Sequence, residues 1–187
     1  MTSSFRSHAA RGFTLIELLI VVIIIAILAA IAIPQFSVSS DDAKVAALDA
    51  NLSTMRSAIE MYRVQHKNTV PAAKASKPGT GAGTCPTGGV AGNAAITTPE
   101  AFTDQLTGYS NADGGTCSIP SPDYPFGPYL RAIPAEPGSG KTTVAVTATA
   151  PAADDTTGWQ FSTLNGKLLA NNTKDKAGTP AATFATR

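Results

Sequence analysis

The strongest pattern in the chain is a block of apolar residues from position 13 to position 33. It reads FTLIELLIVVIIIAILAAIAI, and Glu17 is its one charged residue. An α-helix rises about 1.5 Å per residue, so this block would form a helix roughly 31 Å long. The hydrocarbon core of a bilayer is about 30 Å thick. The pattern therefore predicts a transmembrane helix.

Basic residues alone supply the charge before this block. Arg6, His8 and Arg11 precede it, without an acidic residue. The positive-inside rule then predicts an N-terminus in the cytoplasm and a chain that lies across the membrane after Pro34. A secretory signal peptide cut at Ala30-Ile31-Ala32 is the alternative. Signal peptides usually have about 7–15 apolar residues, so the length of this block favours a retained segment.

The pattern changes after the apolar block. Pro34 lacks a backbone donor, which predicts a kink or a loosened turn, with a helix end as the alternative. Apolar residues then recur at helical spacing, so we expect the helix to continue to about His66. This stripe consists of Val45, Leu48, Leu52, Met55, Ile59 and Tyr62. We expect it to pack on the chain's own sheet, and a free coiled coil is the lesser alternative because three heptads are not reached.

The remainder, residues 67–187, is predicted to form a globular head. A loop rich in proline and glycine comes first, over residues 67–98, and residues 99–106 could form a short helix with Pro99 in its first turn. Alternating or β-branched residues predict strands at 142–149, 159–162 and 167–170, the last two joined by an Asn165-Gly166 hairpin turn. The predicted fold class is α+β. A long N-terminal helix, hydrophobic and then amphipathic, would pack on a small antiparallel sheet of three or four strands, with Trp159 and Phe161 facing it.

Composition and charge limit the function further. The chain has 187 residues, of which 14% are charged, and its net charge is +1. That length suits one ordinary globular domain. The basic residues are scattered rather than clustered, so nucleic-acid binding is not predicted.

No arrangement of residues indicates catalysis. Gly138-Ser139-Gly140-Lys141-Thr142 resembles the end of a phosphate-binding loop, but Ala135 stands where the first glycine belongs and a β-branched run follows. A turn leading into a strand is the expected structure. The histidines, His8 and His66, have no nucleophile or ligand partner near them in sequence. We expect a protein that is not an enzyme and that holds no cofactor.

The segment from Arg11 to Leu18, RGFTLIEL, resembles the N-terminal signature of type IV pilins and of the pseudopilins of type II secretion. The resemblance extends through Ile33-Pro34-Gln35-Phe36. It implies a cytoplasmic leader, residues 1–12, that a prepilin peptidase removes between Gly12 and Phe13. The new N-terminal amine of Phe13 would then be methylated.

The resemblance also gives Glu17 a role in assembly. A carboxylate inside a membrane is costly and is normally kept for a partner. In this family the partner is the N-terminal amine of a neighbouring subunit, here that of Phe13, and the pair would set the axial register of the filament. The alternative is that Glu17 lies in the headgroup layer without a partner.

Two cysteines, Cys85 and Cys117, follow the predicted membrane segment. Both would lie on the oxidising side of the membrane, so we expect them to form a disulfide that secures the glycine-rich loop. A metal site is the rival, but two thiols without a nearby histidine do not make a four-ligand set.

Acidic residues in loops leave calcium binding as an alternative to the expectation that the protein holds no cofactor. Major pseudopilins bind calcium in a C-terminal loop, and Asp113, Asp123, Asp154 and Asp155 are oxygen ligands of the right kind. That loop cannot be matched here, and no metal ligands are assigned.

The resemblance implies a structural subunit of a type IV pilus. The prepilin would enter the inner membrane with its N-terminus inside, contact lipid through residues 13–33, and pass through the assembly machinery into an extracellular homopolymer. Residues 34–66 would be the amphipathic continuation of the helix. A major pseudopilin of a type II secretion system is the alternative, favoured by the aromatic segments at 124–130 and 158–161, which weakly resemble that branch. Their other interpretation is an aromatic anchor that packs a loop on the core.

Overall fold

The structure is a computed structural model that describes residues 13–79 and 83–173, with the backbone alone for residues 32–40. Its elements in chain order are α1 Leu15–Gln65, α2 Pro99–Thr107, β1 Tyr109–Ser110, β2 Thr116–Cys117, β3 Val144–Thr147, β4 Trp159–Ser162 and β5 Leu168–Ala170. One long helix followed by small sheets confirms the α+β class. The chain divides into two units, Met1–Asp41 and Asp42–Arg187.

Helix α1 is continuous from Leu15 to Gln65, so it does not end at Pro34. The alternative of a helix end at that proline is wrong, whereas a kink there stays a prediction. Among the residues that the structure describes, no helix is both long enough and apolar enough to cross a membrane.

The apolar stripe on the second half of α1 forms part of the hydrophobic core of the second unit. Its residues are Val45, which is partly buried, and the fully buried Leu48, Leu52, Met55, Ile59 and Tyr62. They share one cluster with Trp159 and Phe161 of β4, as the sequence predicts. The stripe therefore packs on the chain's own head, and the coiled-coil alternative is wrong.

Helix α2 forms where the sequence predicts it. Thr98 is its N-cap and accepts a hydrogen bond from the backbone N–H of Ala101, and Pro99 occupies the first turn. A proline is tolerated there because its missing N–H would lack an intrahelical partner in any case. Phe102 and Leu106 are fully buried, and the Phe102 ring lies 4.7 Å from that of Phe161 between centroids.

The main sheet has the strand order β3-β4-β5. Strands β4 and β5 are antiparallel, with Trp159 opposite Ala170, and Gly166 in the turn between them has a φ of 70°. The predicted hairpin at Asn165-Gly166 is thus confirmed. The prediction of a wholly antiparallel sheet is wrong, because β3 pairs with β4 in parallel. Residues 148–158 form a loop long enough to carry the chain back along the short β3 before β4 begins.

A separate two-stranded sheet, β1 with β2, was not predicted. Its strands are two residues long, too short to show an alternating pattern. The tight turn between them forms because the side-chain oxygen of Asn111 accepts hydrogen bonds from the backbone N–H groups of Asp113 and Gly115. Gly114, with a φ of 90°, adopts the left-handed conformation that this turn requires.

Cys85 and Cys117 form a disulfide, with their Cα atoms 5.6 Å apart, which confirms the predicted pairing. Cys117 is buried in β2, so the bond fastens the loop before α2 to the small sheet. Gly89 lies against both sulfurs, where a Cβ would come within 2.8 Å of the Cys85 sulfur. The same loop also forms hydrogen bonds with β2 and its neighbour, from the Gly92 N–H to the Thr116 carbonyl and from the Ser118 N–H to the Val90 carbonyl, so the covalent bond adds to these restraints.

Replacing both cysteines by serine should lower the free energy of unfolding by about 3–4 kcal/mol, because the bond closes a loop with a sequence separation of 32. Denaturant unfolding of the full chain in detergent, with and without reductant, measures the loss. The unmodified chain under reductant is the matched control and should lose a similar amount. Equal stability of the oxidised chain and the double variant would contradict this prediction.

Candidate functional site

The first half of α1 presents an apolar surface on every side. The large side chains between Phe13 and Ile31 are each about half exposed or more, from 50% at Val21 to 85% at Phe13. Contiguous apolar surfaces above a few hundred Å² mark sites that contact other proteins or membranes. Small residues, Ala26, Ala29 and Ala30, interrupt the large ones and would let other helices approach closely. The segment therefore has the composition and the exposure of a surface that other helices or lipid cover.

Glu17 is engaged at the start of this helix. Its Oε2 accepts hydrogen bonds from the backbone N–H of Thr14 at 2.9 Å and from the Thr14 hydroxyl at 2.7 Å. In return the Glu17 N–H donates to the Thr14 hydroxyl oxygen at 3.2 Å. This reciprocal pattern is a capping box, which satisfies backbone donors that a helix N-terminus leaves without partners.

The capping role of Glu17 was missed at the sequence level although its signal is present. Thr14-Leu15-Ile16-Glu17 is a Thr-x-x-Glu sequence placed directly before an apolar run. The two roles of Glu17 are compatible, because a carboxylate offers about four acceptor positions and the capping bonds use two of them. A negative charge in the first helical turn is further favoured by the helix dipole.

Phe13, the predicted first residue of the mature chain, lies just before α1 and is 85% exposed. Gly12 and the leader, with Arg6, His8 and Arg11, lie outside the described residues. Cleavage at Gly12, methylation of Phe13 and pairing of Glu17 with an amine stay predictions. The structure brings Phe13 and Glu17 to the same end of one helix.

The glycine-rich turn at 138–142 is occupied by the chain's own carboxylate. Glu136 is fully buried and accepts hydrogen bonds from the backbone N–H groups of Gly138 at 2.9 Å and Ser139 at 2.5 Å. These are the donors that a phosphate would need. The segment is a turn leading towards β3, as expected, and its donors are already bound.

The loop aspartates are held by separate partners. Asp113 forms ion pairs with Lys67 at 2.9 Å and Lys74 at 3.7 Å, and the hydrogen bond from Lys67 is the main cause that lowers the pKa of Asp113. Asp154 accepts hydrogen bonds from Thr156 and Asn171, which lower its pKa. Within residues 13–79 and 83–173, no group of three histidine, cysteine or acidic residues could hold a metal ion.

The aromatic segment at 124–130 anchors a loop on the core, in agreement with the simpler of its two interpretations. Tyr124 and Leu130 are buried, and the Tyr129 ring meets the Tyr62 ring of α1 edge-on at 5.7 Å. The Tyr129 hydroxyl donates to the side-chain oxygen of Gln65 at 2.5 Å. The segment thus covers the C-terminal end of α1.

Comparison with known proteins identifies the N-terminal segment. Residues 7–33 match the prokaryotic N-terminal methylation motif. The chain is 52% identical over 58 residues to the type IV narrow pilus major component PilA5 of Thermus thermophilus, a match that covers 31% of this chain and 50% of the relative. No solved structure matches the chain.

Two further relatives come from different systems. Type II secretion system core protein G of Pseudomonas aeruginosa is 40% identical over 55 residues, 29% of this chain and 39% of the relative. Type IV major fimbrial protein FimA of Dichelobacter nodosus is 54% identical over 50 residues, 27% of this chain and 32% of the relative. The chain thus matches half or less of the length of each of these relatives. Residues 7–33 therefore match the prokaryotic N-terminal methylation motif, and the first part of the chain is similar to type IV pilins and to a type II secretion core protein.

Proposed function

We propose that this chain is a structural subunit of a type IV pilus. It polymerises with copies of itself through the apolar half of α1. The observation that carries the proposal is the apolar surface between Phe13 and Ile31, exposed on all sides of the helix and closed at its start by the Thr14–Glu17 capping box. A helix of this kind has no face that water stabilises, so it requires lipid or other helices around it.

The route to the filament follows from the same segment. Before assembly the apolar helix lies in the inner membrane, with the basic leader in the cytoplasm and the head on the other side. A prepilin peptidase removes the leader after Gly12, Phe13 is methylated, and an inner-membrane assembly machinery adds the subunit to a filament at the cell surface. The methylation motif at residues 7–33 and the pilin relatives support this order.

The subunit is proposed to act by assembly alone, as neither an enzyme nor a nucleic-acid-binding protein, and to hold no cofactor or metal. The candidate phosphate-binding turn is filled by Glu136, Asp113 is bound by a lysine side chain, and Asp154 is bound by threonine and asparagine side chains. These contacts support the proposal because they use the polar groups that a ligand would otherwise contact.

A subunit of a type II secretion pseudopilus is the second candidate. The similarity to core protein G of Pseudomonas aeruginosa favours it. The two functions make different predictions for a strain that lacks the gene. Loss of surface filaments with normal protein secretion supports the pilus, and loss of secretion with normal surface filaments supports the pseudopilus.

The mature subunit should begin at N-methyl Phe13, since Gly12 has no Cβ and leaves the peptide bond between Gly12 and Phe13 open to a protease. Intact-mass and N-terminal peptide analysis of purified filaments measures this directly. Gly12→Val should keep the leader, and its mass should be that of the full chain. A mature protein that starts at Ile33 would instead establish the signal-peptide alternative.

A further inference from the structure

His66 occupies a buried joint in the head. It follows directly after the end of α1 at Gln65, and only 1% of its surface is exposed. Three parts of the second unit meet at its ring: the last turn of α1, strand β1 and the aromatic segment at 124–130. Neither the proposed assembly nor the family motif uses this residue.

The hydrogen bonds of His66 define one neutral form of its ring. Nδ1 lies 2.7 Å from the backbone carbonyl oxygen of Tyr62, which only accepts, so Nδ1 carries the proton. Nε2 lies 3.0 Å from the hydroxyl oxygen of Ser110. In this form Nε2 has a lone pair and accepts the hydroxyl proton of Ser110, which is itself fully buried.

Ser110 connects the imidazole to the aromatic segment. Its backbone N–H donates to the Phe126 carbonyl at 2.8 Å, and the Phe126 N–H donates to the Ser110 carbonyl at 3.1 Å. The ring of Phe126 contacts the imidazole edge-on with centroids 5.3 Å apart. A change at Nε2 therefore acts on the residue that fastens the segment to β1.

The remaining walls of the joint are aromatic. The Tyr62 ring is stacked on the imidazole with centroids 3.7 Å apart, and the Tyr129 ring lies edge-on at 6.2 Å. Burial raises the pKa of both phenols, that of Tyr129 to about 12, so both stay neutral at moderate pH.

The charges near the joint do not favour a cationic imidazole. Lys74 is the charged side chain that acts on His66, and it repels a second positive charge. The carboxylate of Asp113 pairs with Lys74 and also with Lys67. Burial is the main cause that lowers the pKa of His66, the Lys74 charge acts in the same direction, and backbone hydrogen bonds to Tyr62 and Asn111 oppose them.

We propose that His66 is a proton-operated latch that holds the aromatic segment at 124–130 on the end of α1 while its ring is neutral. When Nε2 takes up a proton from an acidic medium it becomes a donor, and the Ser110 hydroxyl must turn its own proton away from the ring. The positive charge then lies in an apolar site beside Lys74. The joint loosens, and the Ser110–Phe126 pair opens.

The direction of the pH dependence follows from the low affinity of the folded state for this proton. An imidazole in the unfolded chain has a pKa of about 6.5. The stabilisation by the neutral imidazole is fully present above about pH 6.5. It is lost as the pH falls towards the lower pKa that His66 has in the folded chain, because the unfolded chain then binds more protons than the folded chain. At pH 5 the loss in the folding equilibrium constant is at most about thirtyfold, the ratio of charged to neutral imidazole in the unfolded chain.

The test compares the full chain in detergent with its His66→Gln variant at pH 7.5 and pH 5. Glutamine stays neutral and can both donate and accept, so the variant should lose much less stability on acidification than the unmodified chain. Amide exchange at Ser110 and Phe126, corrected for intrinsic rates, should accelerate at pH 5 in the unmodified chain and not in the variant. His8→Gln removes the other histidine of the sequence and should retain the full pH dependence.

A direct titration keeps the proposal falsifiable if His66→Gln does not fold. The imidazole resonances of the His8→Gln chain report His66 alone, and the expected midpoint lies below that of a free imidazole. A midpoint at or above about 6.5 would overturn the proposal, as would equal pH profiles of the unmodified chain and His66→Gln. Filament formation is not the readout, so this test can fail while the proposed pilus function stands.

Discussion

A Glu17→Ala chain should insert into the membrane, lose its leader and fail to build filaments. Removing the carboxylate lowers the cost of insertion. Cleavage after Gly12 should continue, because the changed side chain is not at the cleavage site. In assembly, however, the amine of an incoming Phe13 would lose its partner. Leaving one member of a buried charge pair unpaired costs about 3–5 kcal/mol, and apolar contacts alone do not fix the stagger of one helix against another.

The measurement is a count of filaments on cells that express the variant as the only copy, after processed protein has been found in the membrane fraction. The capping box makes two matched controls necessary, because Glu17→Ala also removes half of it, the two bonds that the carboxylate accepts from Thr14. Loss of a cap costs about 0.5–2 kcal/mol. Its effect must therefore be separated from that of the charge.

Thr14→Ala removes the cap and keeps the charge, so it should still assemble. Glu17→Gln keeps a side-chain acceptor near Thr14 and loses the charge, so it should fail as Glu17→Ala does. Normal filaments from Glu17→Gln would show that the charge pair is dispensable, and failure of Thr14→Ala to assemble would assign the effect to the helix start.

Trp159→Ala should cause the largest loss of stability in the head. The side chain is fully buried in β4, and its indole N–H donates to the Pro134 carbonyl at 2.7 Å. Truncating a buried tryptophan costs about 3–5 kcal/mol, and the Pro134 carbonyl is left without this donor at a further cost of about 1–3 kcal/mol. Such a loss is a large fraction of the stability of an ordinary domain.

Denaturant unfolding of the full chain in detergent measures this effect. Leu164→Ala is the matched control, since Leu164 is a large apolar residue on the same hairpin but is 70% exposed. It should change the free energy of unfolding by less than about 0.5 kcal/mol. Similar losses in the two variants would contradict the assignment of Trp159 to the centre of the core.

The sequence by itself determined the elements that depend on local pattern. The stripe from Val45 to Tyr62 predicts both a helix and its buried face, because apolar residues at helical spacing lie on one side. The Asn165-Gly166 turn and the Pro99 helix start were predictable for the same reason, since each depends on the conformations open to one or two residues. The Thr14–Glu17 capping box was equally local, so its signal could have been recognised.

The tertiary structure alone decided what depends on residues far apart in the chain. The parallel pairing of β3 with β4 comes from the path of the loop at 148–158, which no local pattern encodes. His66 has no nucleophile or metal-ligand partner near it in sequence, yet the fold buries it against Ser110 and Phe126, more than forty positions away. Its chemistry follows from desolvation and from one hydroxyl across the joint, and both arise only when the end of α1, β1 and the aromatic segment pack together.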